Sequence, residues 1–123
     1  MSKEISMSHF NTLRSKLTDI ESLKASLRHL GFVVQTNATV RGSDCQSVRA
    51  DLVAVLEGDY DLGWSRHVDG SLDLVADLWG VAKKHNMATL LSSINQHYAV
   101  YQTLAAVQRP GLQTASVKLV VQP

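Results

Sequence analysis

The sequence has a single cysteine, Cys45, among its 123 residues. One thiol excludes an internal disulfide framework and every zinc or iron–sulfur motif that needs several cysteines. No apolar run approaches the roughly 20 residues that a membrane-spanning helix needs. Residues 1–6 contain no apolar stretch of the kind that a secretory signal requires. We therefore expect no membrane association, and a location in the cytoplasm or an equivalent compartment.

Acidic residues are missing from the C-terminal third. All 11 Asp and Glu residues lie between Glu4 and Asp77, and residues 85–123 carry only two cations, Arg109 and Lys118. The formal net charge is therefore −1 for residues 1–84 and +2 for residues 85–123. Neither value is typical of a nucleic-acid-binding domain. The total of +1 thus hides a C-terminal third that is almost free of charge.

Glycine-rich loops and metal-ligand spacings are also absent. Gly42 and Gly63 stand alone, and no glycine-rich loop precedes a predicted helix, which argues against the common nucleotide sites. The five histidines include no pair spaced like the two zinc ligands of a metalloprotease helix. We therefore expect no bound cofactor and assign no catalytic or metal-binding residue.

The composition that remains is that of one folded domain. Hydrophobic residues make up 45% of the chain and charged residues 19%, which is ordinary for a globular protein. The length fits one domain and little else. We predict a flexible N-terminal extension over residues 1–6 and a single α+β domain over residues 7–123.

The best-marked element is a helix. Apolar side chains recur at the helical period from Ile20 to Leu30. Thr18 and Glu21 have the spacing of a capping box at its start. Gly31 can adopt the left-handed conformation that ends many helices.

Strands are predicted on both sides of this helix and in a central meander. Alternating apolar side chains, many of them β-branched, indicate strands in the meander, where the even-numbered positions are apolar. The predicted strands cover residues 8–14, 32–36, 48–56, 60–64 and 72–78.

The last turn of the meander decides the register of its strands. A two-residue Asp69-Gly70 turn would pair even positions with odd ones and scramble the apolar face. A three-residue loop with a left-handed Gly70 pairs Trp64 with Leu74 instead. We therefore expect the apolar even-numbered side chains of residues 48–78 on one buried face.

A long helix is predicted from about Asn86 to a point before Pro110. It has no formally charged side chain between Met87 and Gln108. A final strand is predicted over residues 115–121. The order β-α-β-β-β-β-α-β predicts an α+β fold, with a mainly antiparallel sheet, two helices on one face and a ferredoxin-like arrangement.

The face of the meander opposite the apolar one carries polar side chains. Four of them form a candidate polar cluster: Arg49, Asp51, His67 and Asp77. Asp61, Ser65 and Asp73 lie on the same predicted face. In the preferred register Asp61 lies opposite Asp77, and hard cations bind several oxygen ligands within a small radius. The alternative is a solvated sheet face on which Arg49 balances the acids. Both interpretations remain open.

The uncharged C-terminal third has the composition of a protein interface. Interfaces are depleted in charge and enriched in Tyr and Trp. The candidate interaction surface consists of Tyr98, Tyr101, His97, Trp79 and Gln102. The alternative is that the tyrosines belong to the core, because they fall on the apolar stripe of the long helix.

Several short strings together resemble a known family. They are Met7-Ser8-His9-Phe10, Leu27-Arg28-His29-Leu30-Gly31-Phe32, Val40-Arg41-Gly42, Val48-Arg49-Ala50-Asp51-Leu52-Val53, Asp61-Leu62-Gly63-Trp64, Val75-Ala76-Asp77-Leu78-Trp79-Gly80 and Gln96-His97-Tyr98-Ala99-Val100-Tyr101. In this order and spacing, over about residues 7–121, the chain resembles the hypothetical chloroplast reading frame thirty-five family of cyanobacteria, algal plastids and cyanobacterial viruses. The resemblance implies a protein of the cytosol or plastid stroma, or of the host cytoplasm for a viral copy, and no known reaction.

Our leading hypothesis is a small non-catalytic interaction or regulatory module that binds a protein partner and is a candidate for homodimer formation. It rests on the absence of a catalytic set beside an uncharged helix. A first alternative is a metal-dependent or redox enzyme that uses Asp51, Asp77, His67 and His97. A second alternative is a weak nucleic-acid binder that uses a cluster of Arg41, Arg49, Lys83 and Lys84, although interleaved acids argue against it.

Overall fold

The computed structural model describes residues 10–43 and 46–107. The strands in these ranges are β1 (Asn11–Leu13), β2 (Val33–Arg41), β3 (Ser47–Val55), β4 (Asp61–Arg66) and β5 (Leu72–Ala76). The helices are α1 (Ile20–His29), α2 (Leu78–Ala82) and α3 (Met87–Val107). Cys45 and the predicted final strand over residues 115–121 lie outside the described residues.

The five strands form one antiparallel sheet in the order β1-β5-β4-β3-β2. Leu23 and Leu27 of α1 join the same core cluster as Ile94 and Tyr98 of α3. That cluster also contains the central sheet residues Leu52, Ala54, Leu62, Trp64, Leu74 and Ala76. Both long helices therefore cover one face of the sheet, and the predicted α+β class is confirmed.

The register of the meander is confirmed. Leu62 pairs with Ala76 and Trp64 pairs with Leu74. The loop between β4 and β5 has the three predicted residues, because the amide of His67 donates to the carbonyl of Ser71 at 2.7 Å. Gly70 has a φ of +95°, which an L side chain rarely adopts. The loop length therefore places even-numbered residues opposite even-numbered ones.

One part of the predicted buried face is wrong. Val48 and Ala50 contribute to a second apolar cluster with Val40 and Val53, whereas Leu52 belongs to the core beneath the helices. The even-numbered side chains of β2 and β3 thus change sides of the sheet. The change coincides with Asn37, a non-glycine residue with a φ of +48°, which lies between the pairs Thr36–Leu52 and Ala38–Ala50.

The start of α1 also differs from the prediction. Asp19, rather than Thr18, is the N-cap, and its carboxylate accepts a hydrogen bond from the Glu21 amide at 3.1 Å. An aspartate at this position satisfies an amide that the helix leaves unpaired. The predicted C-terminal signal is confirmed, because Gly31 has a φ of +96°.

The third strand of the meander ends earlier than predicted. It stops at Ala76, and Leu78 belongs to the short helix α2 instead. Asp77 is the N-cap of α2 and turns the chain out of the sheet. The predicted start of α3 is confirmed, because the side chain of Asn86 accepts a hydrogen bond from the Thr89 amide at 3.0 Å.

Candidate functional site

The two acids that were predicted to face each other at the edge of the meander are buried. Asp61 is 2% exposed and Asp77 is fully buried. The alternative of a solvated sheet face is therefore wrong for these two acids. A buried carboxylate is costly unless its oxygens find donors, so the partners of each acid explain why the chain can enclose it.

Asp61 is enclosed by the end of β2. The guanidinium of Arg41 donates to both of its carboxylate oxygens, at 2.9 and 2.8 Å, and the Arg41 amide donates at 3.0 Å. The Asp61 carboxylate raises the pKa of Arg41, chiefly through these hydrogen bonds. The same guanidinium donates to the Leu56 carbonyl at 3.1 Å. This bidentate pair closes the turn between β3 and β4 and leaves Arg41 committed to an internal contact.

Asp77 is enclosed by two different segments. One carboxylate oxygen accepts a hydrogen bond from the Gly80 amide at 3.0 Å, which starts α2. The other accepts from the Ser43 amide at 3.0 Å and from the Ser43 hydroxyl. Asp77 thus fixes the loop after β2 to the start of α2.

The remaining members of the predicted polar cluster make separate contacts. A carboxylate oxygen of Asp51 accepts a hydrogen bond from the Arg66 amide at 2.7 Å. Arg49 donates to the carbonyl of Asn37. His67 lies with its Nδ1 atom 4.0 Å from Asp73. Arg49, Asp51, His67 and Asp77 therefore do not converge on one point.

No metal centre is formed by these side chains. Among residues 10–43 and 46–107, no group of three or more His, Cys, Asp or Glu side chains is placed to hold a metal ion. The contacts above stabilise turns and a helix start. They give the metal-dependent alternative no structural support within the described part of the chain.

A polar group that sequence reasoning missed lies around the loop between β4 and β5. Arg14 forms ion pairs with Asp69 and with Asp73, the latter at 3.3 Å. Asp69 also accepts hydrogen bonds from the Ser71 hydroxyl at 2.7 Å and the Ser71 amide at 2.9 Å. These hydrogen bonds lower the pKa of Asp69 to about 2, the hydroxyl contributing most. Arg14 thereby ties the segment after β1 to this loop.

Two residues of the candidate interaction surface face inward. Tyr98 is 8% exposed, and its hydroxyl accepts hydrogen bonds from the Thr18 amide at 3.0 Å and the Asp19 amide at 2.9 Å. Gln102 donates to the Asp19 carboxylate at 2.8 Å and to the Ser22 hydroxyl at 3.0 Å. Both side chains fasten α3 to the start of α1, so the core alternative for Tyr98 is the one the structure supports.

The aromatic seam between α1 and α3 holds two further candidates. The rings of His29 and His97 lie 5.1 Å apart, and Tyr101 meets His29 edge-on at 6.3 Å. The Nδ1 atom of His97 is 3.0 Å from the Ser93 carbonyl, one turn earlier in the helix. His97 and Tyr101 are half-buried, so they contribute only an edge to the surface.

Trp79 is the remaining member of the candidate surface, and it lies outside. Its side chain is 79% exposed, in a chain whose other tryptophan, Trp64, is 2% exposed. The backbone beneath Trp79 is closely packed, because a Cβ atom at Gly80 would lie 2.0 Å from the Tyr60 ring. The backbone that carries the exposed indole is therefore held in place by close packing.

Comparisons with known proteins place the chain in a family. The family model described as "Protein of unknown function (DUF1257)" matches residues 26–120. The chain belongs to this family. The chain is also 25% identical over 125 residues to "Uncharacterized protein ycf35" of Pyropia yezoensis, with 94% of this chain and 97% of that protein aligned. The predicted resemblance is thereby confirmed, and no solved structure matches the chain.

The strings that carried the resemblance meet in the folded chain. Val40-Arg41-Gly42 reaches Asp61-Leu62-Gly63-Trp64 through the pair Arg41–Asp61. The residue after the first string, Ser43, reaches the string that ends in Trp79-Gly80 through Asp77. Asp77 therefore fixes the first turn of the helix that carries the exposed Trp79, and the pair Arg41–Asp61 fixes the end of β2 two residues before Ser43.

Proposed function

We propose that the protein is a non-catalytic interaction module that associates with a second copy of itself through the surface around Trp79. The observation that carries the proposal is the 79% exposure of the indole. Tryptophan side chains are enriched among the residues that dominate binding energy at protein interfaces.

The support of Trp79 limits the entropy that association would cost. Asp77 holds the first turn of α2, and Gly80 lies against the Tyr60 ring. Interfaces gain affinity when the contacting groups are already in their bound arrangement. The indole therefore loses little backbone freedom when a partner covers it.

The charges near Trp79 favour a second copy as the partner. Lys83 follows Trp79 by four residues, so both share a helix face, and its ammonium group lies 5.9 Å from the centre of the Tyr60 ring. Lys84 lies against the turn at Gly58, whose neighbours Glu57 and Asp59 are exposed acids. A patch that carries both signs can be self-complementary, because one position of a two-fold axis brings the lysines of one copy opposite the acids of the other.

The test is the oligomeric state of the full chain across a concentration series, measured by sedimentation equilibrium. We expect the unaltered chain to dimerise and Trp79→Ala to weaken the dimer about 30-fold, the effect of losing a dominant interface residue. Val68→Ala is the matched control, because Val68 is 99% exposed elsewhere on the surface and its loss leaves the dimer intact.

Charge exchange tests the choice of partner. Lys83→Glu places like charges across the two-fold axis and weakens the dimer. The double variant Lys83→Glu with Asp59→Lys restores opposite charges and recovers it. A monomer at every concentration, or a dimer that Trp79→Ala leaves unchanged, would contradict the proposal.

The other functional alternatives have less support. The nucleic-acid alternative relied on Arg41 and Arg49 among others, and the Arg41 guanidinium is committed to Asp61. No helix within the described residues is both long and apolar enough to cross a membrane. A location in the cytoplasm, the plastid stroma or, for a viral protein, the host cytoplasm stays a prediction.

A further inference from the structure

A cleft of about 650 Å³ lies between α3 and the segment that joins β1 to α1. Trp64 and Leu74 of the sheet form one side, and Leu91 and Ile94 of α3 form another. Leu13, which is 44% exposed, also lines it. This cleft is separate from the Trp79 surface, because neither Trp79 nor its neighbours line it.

The volume and the walls of the cleft suit a small apolar ligand. Sites for small molecules have volumes of about 300–1,000 Å³ and are lined mainly by apolar and aromatic side chains. Trp64, Leu74 and Ile94 are at most 5% exposed and belong to the core, so this side of the cleft is built before any ligand arrives. A preformed apolar wall favours an aliphatic or aromatic body over a polar one.

The charged side chains that line the cleft favour a ligand with a negative charge. Among the described lining residues there are two cations, Arg14 and Lys16, and no carboxylate. Arg14 is already paired with Asp69 and Asp73. Lys16 is exposed and has no ion pair among the residues that the structure describes. An anionic group beside Lys16 in the cleft therefore has an available ammonium partner.

We propose that this cleft binds a medium- or long-chain carboxylic acid, with its apolar chain between Leu13 and Leu91, above a floor formed by Trp64, Leu74 and Ile94, and with its carboxylate at Lys16. A chain with one terminal anion matches apolar walls that include a cation without an ion pair among the described residues. Asn95, on the exposed side of α3, adds an amide donor at the same cleft.

Binding is measured with decanoate below its micelle-forming concentration, by isothermal titration of the unaltered chain. We expect saturable binding of one decanoate per chain. Decan-1-ol has the same tail without the charge, and we expect it to bind about tenfold more weakly, the value of one charge-assisted hydrogen bond. Equal affinities for the acid and the alcohol would overturn the assignment of an anionic ligand.

Tryptophan fluorescence locates the ligand. In Trp79→Phe the emission comes from Trp64, whose ring lines the cleft. We expect decanoate to change this emission with the same midpoint as the titration of the unaltered chain. If the titration shows a heat of binding but the Trp64 emission does not change, the ligand binds elsewhere and the proposal is overturned.

Three variants separate the cleft from non-specific binding. Ala99→Phe fills the cleft from an exposed position of α3 and abolishes decanoate binding, whereas Ala88→Phe, on the same helix outside the cleft, leaves it unchanged. Lys16→Gln weakens decanoate about tenfold and leaves decan-1-ol unaffected. Saturable binding that survives Ala99→Phe, or no binding by the unaltered chain, would contradict the proposal.

Discussion

Asp77 and Trp79 are separated by one residue, and their environments are the reverse of what their chemistry favours. The carboxylate of Asp77 is fully buried, whereas the indole of Trp79 is 79% exposed. The acid is tolerated inside because amides and a hydroxyl donate to it. No such compensation within the described residues explains the exposed indole. At this end of the sheet, buried polar contacts of Asp77 therefore hold the backbone that carries the exposed indole of Trp79.

The largest expected effect concerns the buried side of this comparison. Arg41→Met removes the charged partner of Asp61 and leaves its buried carboxylate without a charge pair. We expect a loss of about 3 kcal/mol in the free energy of unfolding, because an uncompensated buried charge remains. Urea denaturation provides the measurement. Arg49→Met should stay within about 0.5 kcal/mol of the unaltered chain, because Arg49 is exposed and, among the described residues, donates to the Asn37 carbonyl alone. Equal losses would contradict the account.

A smaller effect is expected at Asp77. Asp77→Ala removes the N-cap of α2 and the acceptor for Ser43, and we expect a loss of about 2 kcal/mol in the same assay. Asp77→Asn keeps one carbonyl oxygen for the Gly80 amide and should lose about half as much. The cap assignment fails if Asn and Ala are equally destabilising.

The smallest expected effect is a pH dependence at an exposed acid. Hydrogen bonds from Ser71 lower the pKa of Asp69 to about 2 in the folded chain, below the ordinary value of 3.8. The folded chain therefore gains stability from ionised Asp69 above about pH 4, and loses it as the pH falls through about 2. We expect the urea midpoints of the unaltered chain and Asp69→Asn to differ at neutral pH and to converge near pH 2. A difference that persists unchanged in acid would assign the effect to something other than this carboxylate.

Local signals were sufficient for much of the fold. The three-residue loop at Gly70 determined the pairing of Trp64 with Leu74, because loop length sets whether even positions meet even ones. The apolar stripe from Ile20 and the cap at Asn86 located α1 and the start of α3. These features depend on neighbours in the sequence, which is why the sequence predicts them.

Tertiary contacts decided the rest. The predicted alternation placed Asp61 and Asp77 on the outward face, but Asp61 is buried in β4 and Asp77 follows the end of β5. Donors from a distant segment, Arg41 and Ser43, help to compensate their burial, and local patterns do not indicate this approach. The change of face coincides with the positive φ of Asn37, a backbone conformation that local propensity does not indicate. Trp79 is exposed and Tyr98 is buried, although both were candidate interaction residues. The sequence does not distinguish the two, because burial depends on which side chains form the core.

The most direct test of the account is sedimentation equilibrium of the full chain beside Trp79→Ala and Asp77→Asn. We predict a dimer for the unaltered chain, a dimer about 30-fold weaker for Trp79→Ala with its unfolding free energy changed by less than about 0.5 kcal/mol, and an intermediate dimer for Asp77→Asn. A chain that is monomeric throughout, or a dimer that is indifferent to Trp79→Ala, would contradict the claim that the buried acids hold Trp79 as a contact surface.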